Sequence, residues 1–296
     1  MLNILYEDKE LLVAEKPAGM ESQSSRRFEP DMISEIKNHL KISTKLTTKS
    51  STLWKEPYVG VIHRLDKPVG GIMVYAKTPQ AAAALSKQIQ DRRMRKTYQT
   101  VVCGKPVDIV GNFVDFLLKD GKNNHSSVVD KSVNDSKRAE LNYRVLKEIH
   151  KEDETLCLVE VELLTGRHHQ IRVQFSHHGT PLWGDSKYNP RWADAVPAAG
   201  GRRGSGGVSG CALPEAGEAG DCRTEAGEVR GGLPESSPRR NRRSAGKSGR
   251  ENLALYSVGL SFDHPVSGKR MEFFMKPKGN IFRQFESALA GKTEGR

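Results

Sequence analysis

The sequence predicts an α+β chain built on a mostly antiparallel, mixed central sheet flanked by helices and loops. Three observations carry that prediction. Runs rich in β-branched and aromatic residues outnumber helical ones, the first and last of them fold back across short turns, and helical periodicity is confined to brief segments.

The opening "NILYEDKELLVAEKP" gives two short strands around a turn at Asp8 and Lys9, and "GIMVYAK" gives a third. In "TPQAAAALSKQIQDRR", Thr78 is placed to cap a helix and Pro79 to open it, with Ala81, Leu85 and Ile89 on the apolar face. Strands resume in "TYQTVVCG", "RAELNYRVLKEI" and "TLCLVEVELLTG". The stretch "RHHQIRVQFSHHG" reads as a further helix, capped by Thr165 and leaving at Gly179. A closing hairpin, "LALYSVGLSFDHPVSGKRMEFFMKP", turns between His264 and Gly268.

One composition shift divides the chain. Residues 191–250 hold nearly half of its 28 glycines and almost no large apolar side chains. Such a stretch buries too little surface to repay its ordering entropy. Core-forming sequence resumes after it, so 191–250 is expected to be a flexible, partly basic insertion within one domain made of 1–190 and 251–296.

Among the 296 residues, 47 lysines and arginines against 36 acids give a formal charge of +11, which favours a polyanionic partner, nucleic acid first. The N-terminus lacks the cationic start and apolar core of a signal peptide, and no apolar run approaches membrane-spanning length, so a cytoplasmic chain is expected. Four scattered cysteines contain no C-x-x-C pair and suggest neither zinc nor a disulfide framework. The pairs His168-His169 and His177-His178 lack the four-residue spacing of helical metal ligands, so no metal is expected. Phosphate-loop and G-x-S-x-G signatures are absent too.

What remains is an acid in "VIHRLDKPVGGIMVYAKT". On an extended chain Arg64 and Asp66 point the same way and Leu65 the other. An isolated R-x-D more often fastens a turn than performs chemistry, but a carboxylate kept charged by nearby arginines can also serve as nucleophile or base.

Its neighbours favour chemistry. "HRLD" followed by "GG" and an apolar strand, then "RKTYQTVV", then "LLTGRHHQIRVQFSHHGTPLWGDSKY", resembles in order and spacing the motifs of the RluA-type RNA pseudouridine synthases. The first strands and closing hairpin resemble that family as well. The resemblance implies a catalytic domain with RNA in a cleft across its sheet. It also implies a cofactor-free reaction in which a uridine is detached from its ribose, turned, and rejoined through carbon 5.

By the same resemblance, Asp66 matches the catalytic aspartate, Tyr98 the active-site tyrosine, and Arg172 the basic residue paired with the aspartate. A carboxylate beside the sugar carbon can stabilise developing positive charge, attack it, or remove a neighbouring proton. Tyr98 suits stacking on a flipped base, and its hydroxyl suits proton relay. Further substrate contacts are expected from Arg64, as a filler of the vacated base space or a phosphate ligand, and from Arg167, as a phosphate ligand. His63 joins them as a weaker candidate, since it reads first as a buried hydrogen-bonding group.

This chain departs from the family pattern where Lys67-Pro68-Val69-Gly70-Gly71 replaces x-x-T-S-G, and where His168 replaces a threonine. An S4-type RNA-binding domain is not expected ahead of the first strand. Ribosomal RNA or transfer RNA is the expected partner, for a monomer. Two other readings stay open: a non-catalytic RNA-binding module on the same fold, and a glycosylase that cleaves without rejoining.

Overall fold

The computed structural model describes residues 2–24, 29–47, 56–151, 154–193 and 252–290. Strands β1 (Asn3–Glu7) and β2 (Leu11–Lys16) form the opening hairpin. Its turn is made by Asp8, whose Oδ1 accepts the N–H groups of Glu10 and Leu11, both at 2.8 Å. Helix α1 (Met32–Thr47) and the two-residue strand β3 (Gly60–Val61) come next. Strand β4 (Gly70–Ala76) then pairs antiparallel with β2, from Leu11 opposite Ala76 to Lys16 opposite Gly71.

Helix α2 (Pro79–Gln90) starts as its sequence predicts: Thr78 is extended, and its hydroxyl accepts the Ala81 N–H. Such a cap is worth about 1 kcal/mol. Strands β5 (Arg95–Cys103), β6 (Val110–Asp120), β7 (His125–Val129), β8 (Lys137–Lys151) and β9 (Glu154–Leu163) follow. Helices α3 (Gln170–His177) and α4 (Pro190–Ala193) precede the hairpin of β10 (Leu255–Asp263) and β11 (Arg270–Phe274), and α5 (Asn280–Ala290) ends the described chain.

These eleven strands form one sheet in the order β1-β2-β4-β10-β5-β9-β8-β6-β7, with β11 on β10 and β3 on β4. Among the named strands of the described residues, only β4 and β10 pair in parallel, through Tyr256 opposite Gly70 and Ser257 opposite Gly71. The α+β, mostly antiparallel expectation therefore describes the fold.

Both faces of the central strands are covered, which is why every residue of β2 and β4 is buried and why Leu11–Ala14 and all of β4 read as apolar runs. Leu12, Ala14, Met73 and Tyr75 pack on one side with Met32 and Ile36 of α1, Tyr98, and Phe175 of α3. Leu11, Val13, Ile72 and Val74 pack on the other with Ala81 and Leu85 of α2. Farther along, Ile281, Phe282 and Phe285 of α5 cover Val101, Leu156 and Val258.

The β4–β10 junction requires glycine. Gly71 sits at φ +128°, where a Cβ would lie 2.5 Å from the Ser257 nitrogen and 2.7 Å from its Cα. At this position the glycine lets two backbones approach.

Three local expectations are corrected. Residues 62–69 are loop and turn, not strand. Helix α3 begins at Gln170, so Arg167 precedes it. Thr165 does not cap it, because its hydroxyl is engaged by the Glu140 N–H at 2.8 Å and by the Gln170 Oε1 at 2.8 Å. The cap position belongs to His169, in a left-handed conformation with φ 54°. From the expected insertion, Arg191–Ala193 fall in α4, where Trp192 packs edge-on against Trp183. The remainder, 194–250, lies outside the described residues.

Candidate active site

The loop carrying Asp66 is fastened on both sides. The Leu65 N–H donates to the Ser22 hydroxyl at 3.1 Å, that hydroxyl donates to the Leu65 carbonyl at 2.8 Å, and the Val69 N–H closes a turn on the Asp66 carbonyl at 3.0 Å. The Lys67 carbonyl accepts the Gly19 N–H at 2.7 Å and the Lys16 ammonium at 3.2 Å. Lys16 is fully buried, with further bonds to the carbonyls of Pro17 and Met20. Burial pulls its pKa down to about 8, against the opposing pull of Asp66 and Glu21. Although the segment is loop, exposure alternates as the sequence implies: Arg64 exposed, Leu65 buried, Asp66 partly open.

The Asp66 carboxylate is 30% exposed and faces two nearly buried groups, Arg172 Nη1 and His169 Nε2, each 3.5 Å from Oδ2. Both separations are at the long limit of direct bonding, which leaves the oxygen accessible. Tyr98, on β5, is buried, and close enough to Asp66 for that charge to act on its phenol. Burial, then the Asp66 charge, pushes its phenol well above the usual range, so it remains a proton donor. Its hydroxyl has no hydrogen bond among the described residues.

Arg172 has a closer partner that sequence reasoning missed. Its Nε and Nη2 each donate at 2.7 Å to the two oxygens of buried Asp185, a bidentate pair. Burial opposes the charge on Arg172, but Asp185, then Asp66, outweighs it and the pKa rises. Asp185 is itself oriented by the N–H groups of Lys187, at 2.9 Å, and Tyr188, at 3.2 Å. The guanidinium also lies 5.1 Å from the centroid of the Tyr188 ring. Asp185 stands inside the quoted "GDSKY", so its type was visible while its role was not.

A second omission is His169. The Ser126 N–H donates to the Tyr188 oxygen at 2.9 Å, so the Tyr188 hydroxyl proton goes to His169 Nδ1, 2.7 Å away. That assignment leaves the imidazole proton on Nε2, facing Asp66. Burial, then Arg172, drives its pKa down to about 2, which keeps the ring neutral.

The three proposed substrate contacts fall in different settings. Arg64 is exposed, without a hydrogen bond or ion pair among the described residues. Arg167 is exposed and tied through Nε to the Arg138 carbonyl at 2.9 Å. His63 accepts the Val74 N–H at Nε2, 3.4 Å, and its Nδ1 is buried without a partner. Burial, then Lys96, lowers its pKa to about 3. That is the buried hydrogen-bonding setting expected first for His63.

A family model described as RNA pseudouridylate synthase matches residues 10–177. The chain is 34% identical over 193 residues to the ribosomal large subunit pseudouridine synthase D of Pseudomonas aeruginosa, covering 64% of this chain and 54% of that protein. With the enzyme of the same name from Zymomonas mobilis it shares 32% over 188 residues, 63% of this chain and 56% of the other. It thus spans about half the length of the curated relatives it matches. The structure titled human RNA pseudouridylate synthase domain containing 4 superposes with a TM-score of 0.62 at 20% identity, over 97% of this chain and 93% of that one, a likeness of fold.

Proposed function

The chain belongs to the RNA pseudouridylate synthase family, and from that premise we propose that it isomerises particular uridines of structured RNA, ribosomal or transfer, to pseudouridine. The N1–C1′ bond breaks, a C5–C1′ bond forms, and the proton lost from C5 is balanced by one gained at N1, so product and substrate are isomers and no cofactor is consumed. The observation that carries this reading is the Asp66 carboxylate, partly open and backed by Arg172, near the buried Tyr98.

Each residue has a chemical task. Asp66 acts at the ribose carbon, where glycosidic cleavage develops positive charge. Tyr98 supplies a stacking face and a protonated hydroxyl for relay from C5. Arg172, clamped by Asp185, aims the carboxylate as a positioning residue. Arg64 and Arg167, both exposed, serve RNA phosphates, and His63 shapes the loop. The catalytic domain comprises 1–193 and 251–296, with 194–250 as an insertion, and the protein works as a cytoplasmic monomer. No helix among the described residues is long and apolar enough to cross a membrane.

The test is Asp66→Asn, which keeps shape and removes charge. Purified wild-type and variant proteins would be incubated with ribosomal and transfer RNA, and pseudouridine mapped by carbodiimide adducts. Formation by the wild type and its loss in a folded, RNA-binding variant is expected. Substantial turnover by the variant refutes the carboxylate mechanism, and free uracil would indicate cleavage without rejoining.

A further inference from the structure

Lys96 is a cation without a counter-charge. It lies on β5 two residues before Tyr98 and so projects from the same face, about 7 Å away along the strand. The side chain is only partly exposed, yet among the described residues its ammonium has no hydrogen bond and no ion pair. Burial lowers its pKa, and no carboxylate counters that effect. Desolvating an ammonium is costly unless an anion meets it.

Two site loops flank this ammonium. One carries His63, whose pKa Lys96 depresses. The other carries Gly166, immediately before Arg167: a Cβ built on Gly166 would meet the Lys96 Nζ at 3.5 Å and nothing else within 4 Å. The space over Gly166 is therefore open on the side of the ammonium. Gly166 does not need glycine for its backbone, since it is not among the glycines with positive φ.

We propose that Lys96 and the notch over Gly166 form a phosphate-binding subsite, taking a backbone phosphate of the RNA beside the nucleotide whose base reaches Tyr98. The inference rests on the RNA-substrate reading above, because phosphates are the anions such a ligand brings. An RNA phosphate supplies the missing counter-charge, and one strand then holds a base and its neighbouring phosphate at fixed spacing.

The test uses the full chain and a fluorescein-labelled RNA hairpin with uridines in its loop, the unstacked setting in which single bases are accessible to a protein. Lys96→Met should weaken binding about tenfold, as expected for loss of a charge-assisted contact. It should also reduce the slope of log affinity against log salt by about 1. Its melting temperature should hold or rise, because an uncompensated charge has been removed. Lys96→Arg should restore most of the affinity. Gly166→Ala, which leaves the lysine in place, should weaken binding through occupation of the notch while leaving the melting temperature unchanged.

Unchanged affinity and salt slope in Lys96→Met would overturn the proposal. So would a lowered melting temperature in that variant together with wild-type binding by Gly166→Ala, the pattern of a structural lysine. Pseudouridine formation is scored separately on ribosomal and transfer RNA. Active wild type with an unaffected Lys96→Met defeats the subsite alone. Inactive wild type with the expected binding losses defeats the isomerase reading and leaves the subsite standing.

Discussion

Replacing Asp185 with asparagine changes one atom type in a fully buried clamp. Asp185 makes four contacts: two at 2.7 Å from Arg172, and two from the N–H groups of Lys187 and Tyr188. Asparagine keeps one acceptor and turns the other oxygen into a donor, so at least one guanidinium bond is lost and replaced by opposed N–H groups. A charge-assisted bond is worth about 1.5–3 kcal/mol, and unpairing a buried charge costs about 3–5 kcal/mol.

Part of that loss is recoverable, because Arg172 Nη1 already lies 3.5 Å from Asp66 and can close on it. The expected net is about 3 kcal/mol of stability, within the 5–15 kcal/mol of a typical domain, so the variant folds. Arg172 drawn onto Asp66 occupies the oxygen that substrate needs, and turnover falls although Asp185 touches no substrate. Urea unfolding measures the first effect as a lower midpoint at unchanged slope. Single-turnover pseudouridine formation measures the second. A loss below about 1 kcal/mol combined with wild-type turnover would refute the argument that Asp185 orients Arg172.

Tyr98→Phe removes a hydroxyl that has no partner among the described residues, so stability and RNA affinity should stay constant while turnover drops about a hundredfold; equal turnover would reduce Tyr98 to a stacking face. Gly71→Ala forces a Cβ into the Ser257 backbone at positive φ and should cost about 2–5 kcal/mol in thermal or urea unfolding, whereas a change within about 0.5 kcal/mol would contradict the close approach. Acid should destabilise the fold before the carboxylates titrate. His63 and His169 are held neutral, down to about 3 and about 2, by burial first and then by Lys96 and Arg172 respectively. The unfolded chain takes up protons near pH 6.5, so the stability is fully present above that pH and is lost as pH falls towards 3, by about 1.4 kcal/mol per pH unit for each histidine. Urea midpoints at pH 7, 6 and 5 check the slope, and a flat series would show that these rings are not buried neutral.

Features governed by near neighbours were legible in the sequence. The α2 start depends on Thr78 and the N–H three residues on, and the β1–β2 turn on Asp8 and its next few residues. Helix α1 carried a signal of the same kind, since Met32, Ile36 and Leu40 recur every fourth residue and all are buried. Strands β6 and β7 offered less: both mix exposed with buried positions and form the far edge of the sheet. The Asp66, Tyr98 and Arg172 candidates came from a resemblance of motifs, and the fold brings all three to one region.

The sequence by itself determined the fold class, the first and last hairpins, the capped helix and an acid placed opposite Leu65, because each depends on alternation or on bonds within a few residues. Only the tertiary structure decided what that acid meets. The cap of α3 fell to His169 and not Thr165, whose hydroxyl is taken by the Glu140 N–H of β8. Arg172 is shared between Asp66 and Asp185, which are 119 positions apart, and the Asp66 loop hangs on Lys16 and Ser22 from the first hairpin region. Those contacts join residues far apart in the chain, and a buried charge finds its partner by geometry that no local pattern records.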